Sequence, residues 1–352
     1  CLRLLQEGGK TLDKKECLTA LCQAEGVSGF EDGVAAVCQT MLEQICESVE
    51  TDAFGNVAGL LPAARPDAPT LLLDAHMDQI GFVVTQVLPG GFLRFAPMGG
   101  VDPRMLLGCE VSILAGGGRY GVIACVPPHL QKKGEERNAV PMQDMVIDTG
   151  LLHAEEVISV GTPVVYRTTP CFLTEKVLTA KALDNRAGVA AVLWALSALR
   201  GKALPVHVQV LFSCQEETTA LGARVRTYGT KPDHILAVDV SHAKTPDAPA
   251  DKTFEFGKGV LIGMGPNLHT NFTQSLMDTA KKAGIPYQLE VMEGNTGTNA
   301  WEMQTVACGA ATALLSIPLK YMHTQIETVA VRDIEWTAEL ICQAILAFGK
   351  EA

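Results

Sequence analysis

Three classes of protein are disfavoured by what the sequence lacks. None of its apolar runs reaches the ~18 residues that a membrane-spanning helix requires. The longest run, residues 188–199, is more typical of a buried helix. Basic residues are few: 28 Lys and Arg against 39 Asp and Glu give a formal net charge of -11. This charge disfavours nucleic acid or an anionic membrane as the main partner. No C-x-x-C pair occurs, so a thiolate zinc site is not expected.

The 11 cysteines are odd in number, and many fall within apolar helix or strand patterns. This usage is typical of small core residues in a reducing compartment, not of a disulfide framework. The chain begins at Cys1 instead of Met, so we expect the natural N-terminus to lie upstream. Its first ten residues do not resemble a secretory signal, and we expect a cytoplasmic protein. The cysteines in apolar patterns are Cys22, Cys38, Cys46, Cys125, Cys214 and Cys308.

Two different patterns of secondary structure are predicted along the chain. With 47% hydrophobic and 19% charged residues its composition is that of a globular protein of one to three domains. Strand and helix patterns alternate over residues 1–78 and 173–352, which predicts an α/β fold with a mixed, mostly parallel sheet covered by helices on both faces. Residues 79–172 contain many short strand patterns and turns, which predicts an inserted small β-barrel or sandwich, and we expect the barrel. Within this insert, the polar stretch 131–138 is expected to form a mobile loop.

Two local patterns predict helix starts. Ser28 and Glu31 match an S-x-x-E capping box, which predicts a helix from there to about residue 49. Asp184 follows a strand pattern at 177–179 and precedes an apolar helical stretch, so capping that helix would be its ordinary role.

Polar side chains follow apolar strand patterns at five places, where ligands of an open α/β sheet gather. Each residue alone has an ordinary explanation, such as a core histidine, a helix cap or a solvated charge. Together they would form a mixed nitrogen and oxygen site suited to zinc, cobalt or manganese. A carboxylate shared by two ions would place the metals ~3.5–4 Å apart. The residues are His76 with Asp78, Asp184, Glu216 with Glu217, Asp239, and His323.

Two neighbouring pairs suggest separate roles. Asp78 lies two residues after His76, on the same face of an extended chain, and could hold the imidazole through its other nitrogen. Glu216 and Glu217 directly follow a buried-strand pattern at 207–214, so their charges require compensation. One of them could bind metal while the other acts as general base on a water molecule.

In combination these residues resemble a family of dinuclear metal aminopeptidases. The family includes the glutamyl, lysyl and deblocking aminopeptidases and the tetrahedral (TET) aminopeptidases. The resemblance runs from about residue 18 to the last predicted helix, and the motifs in this order are highly specific. The matching motifs are GVSGFE (26–31), AHMDQIGFVV (75–84), GGVD (99–102), ALDNRAG (182–188), QEE (215–217), AVDV (237–240), GMGPN (263–267) and IP-x-KYMHT (317–324).

The resemblance implies a phosphorylase/hydrolase-like peptidase fold and two divalent metal ions per subunit. The ions would be zinc or cobalt, with manganese as a further candidate. Asp184 would bridge both ions. His76 and Asp239 would complete one site, and Glu217 and His323 would complete the other.

The resemblance also implies an activity and an assembly. The chain would hydrolyse N-terminal residues from peptides, with Glu216 as general base and Asp78 orienting His76. The peptide bond at 184–185 would be cis. The insert at 79–172 would be a dimerisation domain, and the dimers could assemble into a hollow tetrahedral dodecamer.

Departures from the usual family motifs affect other positions. They leave every proposed ligand and the proposed base in place, so they concern the substrate pocket and the assembly. Asn299 and Lys320, where the family has Asp and Arg, could belong to one altered polar network. Pocket-lining residues are expected from the loops at 268–271 and 294–301. The departures are Gln79, Thr219, Leu221, Asn299 and Lys320.

Three alternatives remain open at this point. A related dinuclear hydrolase could remove acyl groups or C-terminal residues. A glycosidase is a second alternative, since some relatives carry an endoglucanase label. Glycosidases use two carboxyls ~5–9.5 Å apart across the bond, whereas Glu216 and Glu217 are consecutive. A scaffold without catalysis is the third.

Overall fold

The structure is a computed structural model that describes residues 13–130 and 139–349. The opening residues and the polar loop expected at 131–138 therefore lie outside the described residues. The α-helices within the described ranges are α1 (Lys14–Gln23), α2 (Asp32–Leu42), α3 (Leu183–Leu199), α4 (Leu221–Thr230), α5 (Thr270–Ala283), α6 (Asn299–Met303) and α7 (Val331–Ala347).

The strands form one large sheet and one barrel. In chain order they are β1 (Ser48–Thr51), β2 (Val57–Leu61), β3 (Thr70–His76), β4 (Gly81–Leu88), β5 (Phe92–Met98), β6 (Glu110–Ile113), β7 (Arg119–Ala124), β8 (Val146–Asp148), β9 (Pro163–Tyr166), β10 (Cys171–Thr174), β11 (Val177–Ala180), β12 (His207–Ser213), β13 (His234–His242), β14 (Val260–Met264), β15 (Tyr287–Val291), β16 (Ala311–Lys320) and β17 (Glu327–Ala330).

The large sheet has the order β1-β2-β12-β3-β13-β16-β17-β11-β10, with β14 and β15 joined to β16 on a side branch. Its four central strands, β12, β3, β13 and β16, are parallel. The pairs toward both edges are antiparallel. The predicted mixed sheet is confirmed, and its parallel part is the centre that carries the polar strand ends.

The central strands are buried on both faces, as their continuous apolar runs predict. On β3, Leu71 and Leu73 belong to the large core under α1, α3 and α7, while Leu72 belongs to a smaller cluster under α4 and α6. Successive side chains of a strand point to opposite faces, so helices cover both faces of the sheet. The predicted α/β layering is confirmed.

The predicted inserted barrel is also confirmed. Strands β4 to β9 close in the order β4-β5-β8-β7-β6-β9 around a separate apolar core. Phe82 is fully buried in this core and makes edge-to-face contacts with Phe95 and Tyr166. Short 3-10 helices at Pro103–Met105, Pro128–Leu130, Met142–Asp144 and Ala154–Glu156 join its strands. In the part of the chain that the structure describes, every helix is too short or too polar to span a lipid bilayer.

The predicted capping box at Ser28 and Glu31 is wrong. Helix α2 begins at Asp32 and ends at Leu42, and Glu31 makes no side-chain cap. The Glu31 carboxylate instead accepts hydrogen bonds from the backbone N–H of Gly29 (2.7 Å) and Gln215 (3.0 Å). The Ser28 hydroxyl bonds that of Thr218. Both side chains are taken by partners from the loop after β12, which local sequence does not reveal.

The prediction that these cysteines are small core residues is confirmed in part. Cys22, Cys38 and Cys214 are buried, and Cys46 and Cys125 are partly buried. Cys308 is exposed, because it lies in the short turn between α6 and β16 and not in either element.

Candidate active site

The candidate residues meet at one edge of the sheet because parallel strands end on the same side. His76 is the last residue of β3, and Asp239 lies near the end of β13 beside Ser316 of β16. Glu216 and Glu217 follow the end of β12, and His323 follows the end of β16. The structure brings all seven sequence-predicted site residues together here.

Asp184 enters this edge from the start of α3. It lies before the regular part of the helix with non-helical angles (φ -80, ψ 103), and the side chain that caps the helix is that of Asn185, whose amide oxygen accepts from the backbone N–H of Gly188 at 3.0 Å. The capping role considered for Asp184 is therefore wrong. Its carboxylate turns toward two histidines from distant parts of the chain. The 184–185 peptide bond is cis, as the family resemblance implied.

The two oxygens of Asp184 face different imidazoles. Oδ1 lies 3.1 Å from Nε2 of His76, and Oδ2 lies 3.2 Å from Nε2 of His323. A carboxylate that presents one oxygen to each of two ligand groups is the arrangement that a bridging role requires.

Two ligand groups share this carboxylate. The first combines His76, Asp184 and Asp239, and the second combines Asp184, Glu217 and His323, with the donor atoms of each group within 4.8 Å of one another. Nε2 of His76 is 3.6 Å from Oδ1 of Asp239, and Nε2 of His323 is 3.3 Å from Oε2 of Glu217. Glu216 belongs to neither group, although its Oε2 is 4.0 Å from Nε2 of His76.

Asp78 connects the histidine corner to the glutamate corner. Its carboxylate is fully buried and lies 3.3 Å from Nδ1 of His76. The same carboxylate accepts hydrogen bonds from the backbone N–H groups of Glu216 (3.0 Å) and Glu217 (3.2 Å). One side chain thus lies against an imidazole and also holds, through two backbone bonds, the segment that carries both glutamates.

Glu327 has a comparable position and was missed by sequence reasoning. It is buried at the start of β17, and its two oxygens accept from the backbone N–H of His323 (2.8 Å) and of Asp184 (3.0 Å). Because these bonds go to backbone groups, no spacing between side chains announces them. Its strand is half polar in sequence (Glu-Thr-Val-Ala), so no apolar pattern marks Glu327 either.

The glycines of the GGVD motif let the barrel approach the second ligand group. The Gly100 carbonyl accepts a hydrogen bond from Nδ1 of His323 at 2.8 Å. A Cβ at Gly100 would lie 2.8 Å from that nitrogen, and a Cβ at Gly99, where φ is +85, would lie 3.3 Å from Glu217. Side chains at either position would push the loop away from the ligands.

The electrostatics show a site with too little positive charge. Burial lowers the pKa of His76, but Glu216 and the three neighbouring aspartates outweigh it and raise the pKa well above its usual value. For His323, burial is likewise outweighed by Asp184 and Glu217, and the pKa rises to about 10. Burial raises the pKa of Glu216 to about 8.

These groups fit a pair of divalent cations. The donor set of imidazole nitrogens and carboxylate oxygens suits transition metals, and buried carboxylates at this density require compensating charge. Oε1 of Glu217 is buried and has no hydrogen-bond partner. A cation at each ligand group would meet both needs.

The departures from family motifs occupy separate surroundings. The Asn299 amide donates to Asp74 and to Ser213, at 2.9 Å each, beneath the site. Lys320 instead lies with its ammonium 4.2 Å from the centre of the Phe256 ring. The contacts of Asn299 and those of Lys320 share no residue. The prediction of one altered polar network for the two is therefore wrong.

A cavity of about 960 Å³ opens above the ligand groups. As expected, residues from 294–301 line it, namely Asn295 to Thr298 and Trp301. Residues 268–271 do not, since Leu268 is buried in the core and His269 caps α5. Thr219 lines the cavity, where its hydroxyl accepts from the backbone N–H of Leu221 at the start of α4. This departure therefore lies beside the substrate space.

A mixed sheet with an inserted barrel and paired histidine–carboxylate groups defines a metal-dependent hydrolase as the class of protein. The comparisons with known proteins make this assignment specific. Residues 55–340 match the model of the M42 glutamyl aminopeptidase family. The lysyl aminopeptidase of Pyrococcus furiosus is 32% identical over 332 residues, which cover 92% of this chain and 94% of that protein.

Solved structures agree with the sequence match. A TET aminopeptidase from the marine sediment archaeon Thaumarchaeota archaeon SCGC AB-539-E09 superposes with a TM-score of 0.91 at 28% identity, covering 96% of this chain and 97% of that one. A TET1 peptidase of Pyrococcus horikoshii, which can assemble into a tetrahedron or a large octahedral shell, superposes with a TM-score of 0.84 at 28% identity, covering 95% and 99%.

The chain belongs to the M42 glutamyl aminopeptidase family. It is a metal-dependent aminopeptidase. The comparisons do not favour the deacylase, carboxypeptidase, glycosidase or scaffold alternatives.

Proposed function

We propose that the chain removes N-terminal residues from peptides with two divalent ions that share Asp184. His76 and Asp239 would complete one metal site, and Glu217 and His323 the other. The observation that carries this proposal is the carboxylate of Asp184, with one oxygen 3.1 Å from His76 and the other 3.2 Å from His323.

The ions are proposed to be zinc or cobalt, with manganese as a further candidate. Each site offers one imidazole and at least two carboxylates, a donor set that all three metals accept. Metal analysis of protein purified without added metal, followed by activity after reloading with each ion, would identify the native one.

Glu216 is proposed as the general base. Two bound divalent ions would polarise the scissile carbonyl and lower the pKa of a water molecule. Glu216 lies beside the first ligand group, with Oε2 4.0 Å from Nε2 of His76, belongs to neither group and lines the cavity. From there it can take a proton from the attacking water and deliver it to the leaving amine. Asp78 keeps Glu216 in place through the backbone bond.

Cleavage at the chain end is proposed to depend on the free amine of the substrate. Further carboxylates line the cavity beyond the ligand groups, including Asp251, Glu293 and Glu302, and they outnumber the lysine there, Lys252. An anionic wall favours a protonated amine over an acylated one. This arrangement explains why the deacylase alternative is not preferred.

Glu216→Gln tests the base, with the exposed Glu47→Gln as matched control. We expect Glu216→Gln to keep both metal ions and to lose hydrolysis by ~10²–10⁴-fold, the usual contribution of general acid–base catalysis. The control should retain both. Near-wild-type hydrolysis by Glu216→Gln would refute the assignment.

A substrate panel tests the reaction itself. Peptides with free N-termini should be cleaved from that end, while N-acetylated peptides of the same sequence should not. Release of C-terminal residues, removal of the acetyl group or hydrolysis of cellulose would each contradict the proposal and identify an alternative.

The barrel, within residues 79–172, is proposed as the dimerisation domain, and the dimers as units of a tetrahedral dodecamer like those of the TET peptidases. Large apolar side chains project from its surface, including Leu152 (82% exposed) and Val160 (64% exposed). Exposed apolar groups mark interaction surfaces where they form a contiguous patch, and the double substitution below tests whether these two belong to one. Leu152→Glu with Val160→Glu should lower the mass in solution, whereas Leu289→Glu on β15 should leave the dimer intact. An unchanged mass in the double variant would contradict the barrel's role.

A cytoplasmic location remains a prediction. The ten cysteines within the described residues are all free, and free thiols persist in reducing compartments. Cell fractionation with a tagged chain would test it.

A further inference from the structure

A second polar cavity lies where the barrel meets the main sheet. Its volume is about 360 Å³, and it shares no lining residue with the cavity above the ligand groups. Its walls come from the end of α1, from the barrel, from the segment that leaves the barrel, and from the residue after β11. The lining residues include Glu25, Tyr166, Arg167, Thr168 and Lys181.

Lys181 is a buried cation in the wall of this cavity. It is only 4% exposed, and its ammonium donates to Oε1 of Gln79 at 3.1 Å and to the carbonyl of Ala24 at 3.5 Å. Both acceptors are neutral. Burial, together with the neighbouring charge of Arg186, lowers the pKa of Lys181 to about 7. No carboxylate among the described residues forms a hydrogen bond with it.

Other donors around the cavity also lack acceptors. The hydroxyls of Tyr166 and Thr168 are buried without a hydrogen-bond partner. Beside Lys181, the Nε2 amide of Gln79 and two guanidinium nitrogens of the fully buried Arg186 are in the same condition. Buried donors left unpaired are costly, so the region has an excess of donors over acceptors.

The carboxylate of Glu25 balances these donors only in part, through a charge interaction that favours the protonated form of Lys181. It lines the cavity, but Glu25 is exposed and forms no hydrogen bond to Lys181, Tyr166 or Thr168. Arg167 adds another cation at the exposed side, where its guanidinium lies 5.3 Å from the centre of the Tyr120 ring. The local balance therefore favours an anionic, acceptor-rich ligand.

We propose that this cavity is a binding site for a phosphate-type oxyanion, held by Lys181 and the hydroxyls of Tyr166 and Thr168, with Arg167 at its opening. Lysine binds phosphate as a point charge, and neutral hydroxyls donate to its remaining oxygens. Liquid water occupies ~30 Å³ per molecule, so the cavity has room for a phosphate group and several waters.

Titration of the metal-loaded protein with inorganic phosphate tests the site, by calorimetry and by the midpoint of thermal unfolding. Lys181→Met should weaken the affinity by more than ~10-fold, because it removes a charged donor. Tyr166→Phe should weaken it by ~3–10-fold, the value of one neutral hydrogen bond. The matched controls are the exposed Lys176→Met and Tyr228→Phe, which should bind phosphate as the wild type does.

The two variants also distinguish this cavity from the metal centre. Phosphate bound at the metal centre would have nearly the wild-type affinity in both variants. If Lys181→Met fails to fold, Tyr166→Phe carries the test alone. Wild-type affinity in Tyr166→Phe, or no phosphate binding by the wild type at millimolar concentration, would overturn the proposal.

Acetate serves as the carboxylate probe, and tighter binding of acetate than of phosphate would also overturn the proposal. Glu25→Gln should strengthen phosphate binding, because it removes a negative charge from the cavity wall, and weaker phosphate binding in that variant would overturn the proposal.

Discussion

The two polar regions on either side of residues 181–184 have opposite chemistry. Around Asp184, carboxylates from four parts of the chain surround two imidazoles, and acceptors outnumber donors. Around Lys181, two buried cations and several hydroxyl and amide donors lack acceptors. The comparison teaches that one fold holds buried charge of each sign in a separate place, and we propose that each place binds a ligand of the opposite sign.

The largest effect is expected from Asp184→Asn. The amide cannot present an anionic oxygen to each ligand group, so both metals should bind weakly. A bound metal ion stabilises the transition state by several kcal/mol. Losing that stabilisation should lower kcat/KM by at least ~10³-fold. Metal analysis and kinetics measure both effects, with the exposed Asp67→Asn as control. Retention of two tightly bound ions would contradict the role of Asp184 as the ligand that both metals share.

Asp78→Asn is expected to have the next largest effect. It leaves all five proposed ligands in place but weakens the partner of Nδ1 of His76 and of two backbone N–H groups. Changes at such supporting carboxylates cost ~10–100-fold in metal affinity or activity. Isothermal titration with zinc and kinetics on a free peptide would measure the loss. An unaltered metal affinity would show that Asp78 does not orient the imidazole.

Glu327→Gln tests a carboxylate that acts on backbone groups. One of the two N–H groups that it now satisfies, on Asp184 and His323, should lose its acceptor. An unsatisfied buried donor costs about 1–3 kcal/mol in unfolding free energy, and the loss in activity should be smaller than for Asp78→Asn. Urea unfolding of this variant and of the exposed Glu339→Gln would measure the difference. Equal unfolding free energies for the two variants would show that Glu327 does not support the site through these backbone bonds.

The pH dependence of stability sharpens the comparison, because the two regions have opposite signs. The pKa of His323 is raised to about 10, so in metal-free protein its stabilising protonation is complete below the unfolded value of 6.5 and is lost as the pH rises toward 10. The pKa of Lys181 is lowered to about 7, so from there to 10.5 the unfolded state binds more protons and stability rises with pH.

Urea unfolding of metal-free protein between pH 7 and pH 10 would separate these contributions. Lys181→Met should make the fall in stability with pH steeper, since it removes the opposing contribution. Loading with metal should make the fall shallower, because the ions replace the proton on His323. A steeper fall after metal loading would contradict the assignment of His323 to the acceptor-rich side.

The sequence predicted the residues whose signal is local to a strand end. His76 and Asp239 come at the ends of apolar central strands, and such ends converge in a parallel sheet. The same logic could not decide the role of Asp184, because a cap and a shared ligand look alike in the chain. Its two histidine contacts, across 108 and 139 residues, had to come from the fold or from family resemblance.

What the sequence could not predict depends on tertiary partners. Ser28 and Glu31 have the spacing of a capping box, yet their side chains bond the loop after β12. Glu327 serves backbone N–H groups, and the Lys181 cavity arises only when the barrel closes on the main sheet. In each case the partner is remote in sequence and no periodicity marks it.

The most direct test of the account is anomalous diffraction from crystals of the metal-loaded protein, recorded at the absorption edge of the bound metal. The account predicts two peaks per chain, ~3.5–4 Å apart, with the Asp184 carboxylate between them and one histidine at each. A single peak, or two peaks that do not flank Asp184, would contradict it.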